Sequence, residues 1–183
     1  MLEIMTIVAV ALAVLVIALL AYAATKPDTF TIERSMPISA SPELIFPLIS
    51  NPRRMNTWNP FVAPDPAIKL VYTGPESGKG AAHTWAGNSK VGEGRIEVTD
   101  VSPPNRVAMQ LDMLKPMKAS NKVVFTLQPT AGATTVTWAM TGRQPLIGKL
   151  MTIFIDCEKM VGGQFEKGLT SLKSIAERAT TST

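Results

Sequence analysis

From Ile4 to Ala24 the chain reads "IMTIVAVALAVLVIALLAYAA", almost wholly apolar and without a charge, Gly or Pro. As a helix this stretch would be roughly 31 Å long at about 1.5 Å per residue, close to a bilayer hydrocarbon core of about 30 Å. The pattern then changes to alternation. In "TFTIERSMPIS", Phe30 and Ile32 alternate with polar neighbours, which predicts a half-buried strand. Ser41, Pro42 and Glu43 supply an N-cap, an N1 proline and a first-turn acid for a short helix that Pro47 should shorten or kink. A second helix start follows at Asn51-Pro52, and Pro60, Pro64 and Pro66 end any helix beyond it.

From about Ile68 to Thr141 the chain repeats short strands, "IKLVYT", "AAHTWAG", "GRIEVTDV", "RVAMQLDM", "NKVVFTL" and "TTVTWAM", separated by turn chemistry such as "GPESGKG" and "SPPN". Brief loops between strands predict antiparallel meander pairing rather than crossover helices. Alternation sets Leu70 and Tyr72, Ile96 and Val98, and Val107, Met109, Leu111 and Met113 on the inner face. Val123, Phe125 and Leu127 continue it, as do Val136, Trp138 and Met140, and His83 shares the inner face with Ala81 and Trp85. The closing segment, from about Leu146 to Arg178, has helical period. Ile147, Met151, Phe154, Val161, Phe165, Leu169, Leu172 and Ile175 form one stripe, with Glu158 in its middle.

A long helix cannot bury such a stripe alone, and a sheet with one apolar face supplies the partner layer. The fold class is therefore α+β: a seven-stranded curved antiparallel sheet wrapped around a long C-terminal helix, preceded by one transmembrane helix. The predicted division is an anchor over residues 1–25 and a binding domain over 26–183.

Charge refines the picture at the N-terminus. All 18 Lys and Arg residues stand at or after Lys26, while one of the 14 acids, Glu3, precedes it, leaving the domain an excess of five bases. A signal peptide wants a basic start, so these flanks favour an uncleaved single-pass anchor, although Ala21-Tyr22-Ala23 has the small-residue form of a cleavage site. Lys26 and Arg34 lean toward a cytoplasmic domain, and the side of the membrane stays open. Arg53-Arg54 is the only adjacent basic pair between the anchor and the C-terminus, and no nucleic-acid motif accompanies the bases. Cys157 and His83 are each the only residue of their type, which rules out an intrachain disulfide and a Cys-based metal cluster. No metal or cofactor is expected.

Three stretches resemble the START-domain and polyketide cyclase/dehydrase (SRPBCC) superfamily. They are "ERSMPISASPELIFPLISNPRRMNTWNPF", "GKGAAHTWAGNSKVGEGRIEVTDVSPPNRV" and "FEKGLTSLKSIAE", taken with the order strand, two short helices, six strands, long helix. The resemblance implies the helix-grip fold and a cavity between sheet and helix. Large residues assigned inward fit such a lining: Trp58, Tyr72, Trp85, Met109, Phe125 and Trp138, then Met151, Phe154 and Phe165 from the helical segment. The superfamily includes carriers, receptors, cyclases and cochaperones, so the resemblance leaves activity open.

Cyclisation of a poly-carbonyl chain needs a base and hydrogen-bond donors inside the cavity. The inward polar inventory is His83, Glu158, Tyr72 and the indole N–H groups. His83 and Glu158 are the candidate acid-base pair; Glu158 is otherwise expected as a wall of the pocket, beside space left by Gly162 and Gly168. The resulting expectation is membrane-anchored binding of a hydrophobic small molecule, a lipid, isoprenoid or polyketide-like aromatic. A cyclase or dehydratase, and a partner-binding module presented at the membrane, are the alternatives. Oligomeric state is not legible.

Overall fold

The computed structural model describes residues 1–154 and 156–181, the side chains at positions 2, 154 and 181 excepted. It opens with helix α1 (Leu2–Ala24), long and apolar enough to cross a membrane. Strand β1 (Thr29–Ile38) follows, then the short helices α2 (Pro42–Ser50) and α3 (Pro52–Met55). Strands β2 (Lys69–Thr73), β3 (Ala82–Ala86), β4 (Glu93–Ser102), β5 (Arg106–Lys115), β6 (Ala119–Thr130) and β7 (Ala133–Arg143) come next. Helices α4 (Leu146–Phe154) and α5 (Cys157–Thr181) close the chain.

The strands form one curved antiparallel sheet in the order β1-β7-β6-β5-β4-β3-β2. Strands β2 to β7 are a plain meander, and β1 returns to the free edge of β7, pairing from Thr29 opposite Arg143 to Ile38 opposite Thr134. Register shifts at Glu93/Gly94 and Val98/Asp100 bulge β4 against β5, and bulges bend a sheet. The concave face carries the residues that alternation assigns inward, including Val98, Val107, Phe125, Val136 and Trp138, all buried.

Local chemistry explains the connecting helices. Ser41 precedes Pro42 at the first position of α2, and α2 ends after 9 residues with Pro47 inside it. Asn51 then caps α3, its side-chain oxygen accepting from the backbone N–H groups of Arg53 (2.9 Å) and Arg54 (3.2 Å). α2 packs against β5, β6 and α5, and it closes one end of the concave face with Ile45 and Ile49.

The gripped C-terminal helix starts later than the sequence pattern predicts. Residues 146–154 form the separate helix α4, and α5 begins at Cys157. The cause is Asp156, whose carboxylate accepts from the backbone N–H of Lys159 at 3.0 Å and so acts as an N-cap. That bond, with the Lys159 ammonium, holds the Asp156 pKa below its ordinary value. The predicted stripe breaks at the same place: Ile147 is 63% exposed, whereas Phe165, Leu169, Leu172 and Ala176 of α5 are fully buried.

Candidate functional site

Between the concave face and the first turns of α5 lies a cavity of about 420 Å³. Its floor is an aromatic cluster drawn from two strands, a helix and the loop after α3. Phe125 of β6 and Trp138 of β7 are register partners with ring centroids 4.9 Å apart, and Phe165 of α5 stacks on Trp138 at 4.1 Å and 8°. Trp58 meets Phe125 and Trp138 edge-on at 5.9 and 5.7 Å, and its indole N–H donates to the Leu48 carbonyl at 2.9 Å. His83 and Trp85 of β3 supply another part of the wall, with Ile96, Leu111 and Met113 between.

The rim is built by loops. Pro60, Phe61, Val62 and Pro64 line one side, Lys90 and Val91 of the β3–β4 turn another, and Met160, Val161 and Gln164 of α5 the third. Buried Asp65 ties the two loops together: one carboxylate oxygen accepts from the Asn88 N–H at 2.7 Å, the other from the Ala67 N–H at 3.0 Å. Sequence reasoning missed the loop residues of this rim because an irregular loop has no period. The signal available was Phe61 and Val62, apolar residues inside a proline-rich loop.

His83 is the buried titratable group of the cavity wall. Burial pushes its pKa from 6.5 down to about 4, so the imidazole is neutral at neutral pH. Asn56 brings its side-chain NH₂ to 3.4 Å from Nε2 and donates to the Tyr72 hydroxyl at 3.1 Å, while accepting from Asn59 at 3.2 Å. A donor at Nε2 assigns the ring proton to Nδ1. Nδ1 has no partner among the described residues, nor does the indole N–H of Trp138.

Of the residues expected to line the cavity, Trp58, His83, Trp85, Phe125, Trp138 and Phe165 do so. Four stand elsewhere. Met109 faces inward as alternation requires but is buried in the closed end of the sheet. Tyr72 lies outside the lining, its ring beneath the Arg53 guanidinium at 4.2 Å. Met151 is 37% exposed on α4. Glu158 is on the outside of α5 with its side chain 55% exposed, 2.8 Å from Arg34 Nη1 of β1. Phe154's side chain lies outside the described residues.

The placement of Glu158 corrects two expectations, the pocket wall and the acid-base pair with His83. Once α4 and α5 separate at Asp156, the carboxylate falls in the first turn of α5, where it meets a cation from the edge strand. Arg34 also donates from Nε to Glu166 at 2.7 Å, so one guanidinium bridges two turns of α5. The glycines do leave space, but not for a ligand. A Cβ at Gly162 would strike the Arg34 guanidinium, and one at Gly168 would lie 2.8 Å from the Trp138 ring and 2.9 Å from Pro60.

A curved sheet gripping a helix over an apolar cavity defines a ligand-binding or cyclase module. The chain belongs to the family described as polyketide cyclase / dehydrase and lipid transport, whose pattern matches residues 29–177. Solved structures share the fold at low identity. Truncated norcoclaurine synthase from Thalictrum flavum is 14% identical with a TM-score of 0.62, over 80% of this chain and 92% of that one. The Aha1 dimer from Colwellia psychrerythraea is 20% identical with a TM-score of 0.57, over 81% and 96%. Protein MLL2253 from Mesorhizobium loti is 16% identical with a TM-score of 0.60, over 81% and 98%. No curated protein matches the chain.

Proposed function

We propose that this chain holds a hydrophobic small molecule, a lipid, isoprenoid or polyketide-like aromatic, in the cavity between sheet and α5. Residues 1–25 serve as a single-pass membrane anchor, and residues 26–183 form the binding unit. The observation that carries the binding reading is the lining: about 420 Å³ of mostly apolar and aromatic wall, with no Asp or Glu among the described residues that form it. Such a wall suits a ligand driven in by burial of its own apolar surface. Met55, Met113, Met140 and Met160 let it adapt to an irregular shape.

Turnover is less well supplied. A general base works best with a pKa near the working pH. His83 is held well below that by burial, and Asn56 rather than a carboxylate stands at its Nε2. Its unpartnered Nδ1–H supports one catalytic reading, in which His83 polarises a substrate carbonyl by donating a hydrogen bond to it. Under that reading His83→Gln abolishes turnover of a poly-carbonyl substrate while binding persists.

Native mass spectrometry of the full chain, extracted from its own membranes in mild detergent, tests the binding reading. One bound hydrophobic molecule per chain is expected. Protein that is always ligand-free, and that takes up neither added phospholipid nor added polyprenol, overturns it. For the anchor, the chain is expected to stay in the membrane pellet after a carbonate wash; a mature chain beginning at Ala24 would identify a cleaved signal peptide instead.

A further inference from the structure

Helix α4 is built inside out. In a helix on a water-soluble surface, apolar residues face the protein and lysines face water. In α4 the lysine is the buried residue: Lys149 lies within the structure, its ammonium 2.6 Å from Asp28 Oδ1. The outward residues are apolar, with Leu146 46% and Ile147 63% exposed, and Met151 following one turn later on the same side. Among the described residues of α4, no charged side chain accompanies them outward.

The neighbour of α4 indicates what covers this face. α4 contacts α1, and the burial on α1 falls at Leu19 and Ala23, one turn apart near its C-terminal end. Asp28, just beyond α1, accepts from Lys149 and also from the backbone N–H of Gln144 at 2.7 Å, which fixes α4 against that end. Tyr22 and Lys26 stand at the same level, with the Lys26 ammonium 5.3 Å from the Tyr22 ring centre. An aromatic ring and a cation at the end of an apolar helix are the residues that favour the membrane–water boundary.

We propose that the outer face of α4 is a bilayer-binding surface. The helix lies in the interfacial plane beside the exit of α1, with Leu146, Ile147 and Met151 among the upper acyl chains. The occupant is lipid rather than protein because the face is continuous with a helix whose described side chains before Leu19 are all exposed and apolar, apart from Glu3 and Thr6. The inference rests on the anchor reading above and adds a second attachment, one that fixes the tilt of the sheet over the membrane.

The test uses the full chain in phosphatidylcholine vesicles. Cys157→Ser removes the native thiol, and single cysteines are introduced by Ile147→Cys or Val71→Cys, each labelled with an environment-sensitive fluorophore. Both positions are exposed, so neither replacement disturbs the core. Lipids carrying a nitroxide high on the acyl chain should quench the label at 147 severalfold more than the label at 71, which sits on the far strand β2. Equal quenching at the two sites, with the chain still in the carbonate-washed pellet, overturns the α4 proposal and leaves the anchor intact. Loss of the chain from that pellet overturns both.

Discussion

The two halves of α5 face the same sheet and do opposite things. From Phe165 onward the helix is seated, with Leu169, Leu172 and Ala176 fully buried against a closed core. Before Phe165 it stands off the sheet: Met160 and Val161 line the cavity, and Arg34 reaches from β1 to hold Glu158 and Glu166. One half closes the fold and the other leaves room for a ligand. The lesson is that the space is maintained by a pillar, the stacked pair Trp138 and Phe165, which stands where the two regimes meet.

Five substitutions test that contrast. Leu172→Ala, in the closed half, should cost about 2–5 kcal/mol of stability, while Met160→Ala, in the open half, should leave the denaturation midpoint almost unmoved. Urea titration of the detergent-solubilised chain reads both, and equal losses would abolish the distinction.

His83 makes the stability of the fold depend on pH. Its pKa is 6.5 before folding and about 4 in the folded state, so in falling pH the unfolded chain takes up the proton first. Stability is full above about pH 6.5 and drops by about 3 kcal/mol as pH falls through that window toward 4. His83 is the only histidine in the chain, so His83→Gln should flatten the slope between about pH 6.5 and 4.5. An unchanged slope would mean that the imidazole is hydrated.

Gly168→Val places a side chain against Trp138 and Pro60 at the boundary of the two halves. It should cost about 1–3 kcal/mol and also weaken ligand uptake, because the Trp138 ring must shift toward the cavity. The smallest effect belongs to Arg34→Gln. Its ion pairs are surface pairs, so global stability should hardly change, but amide exchange over residues 157–164 should speed up. Salt should do the same to the unaltered chain, since screening weakens exposed pairs.

Much of the fold was legible because both periods are strict. Alternation identified the concave residues, from His83 and Trp85 to Trp138 and Met140, and the stripe from Phe165 to Leu172 identified the gripped helix. What alternation cannot supply is position along a face. Met109 and Phe125 both point inward, yet the first is sealed in the core and the second opens on the cavity, and only the tertiary packing decides which. The break at Asp156 was missed for a different reason. Ile147 and Met151 fit the stripe's spacing, but the Asp156 cap restarts the helix and carries Glu158 to the outside. The cap itself was readable, as an Asp followed two residues later by an acid in the first turn.

The three tryptophans of the chain, Trp58, Trp85 and Trp138, all stand in the cavity wall. The protein's indole emission therefore originates entirely in the wall of the cavity. A ligand with a conjugated system, such as a quinone or a polyaromatic, would receive that excitation by energy transfer and dim all three at once; a saturated lipid would only shift their colour. The chain thus carries its own optical discriminator between the two chemistries, with no dye attached.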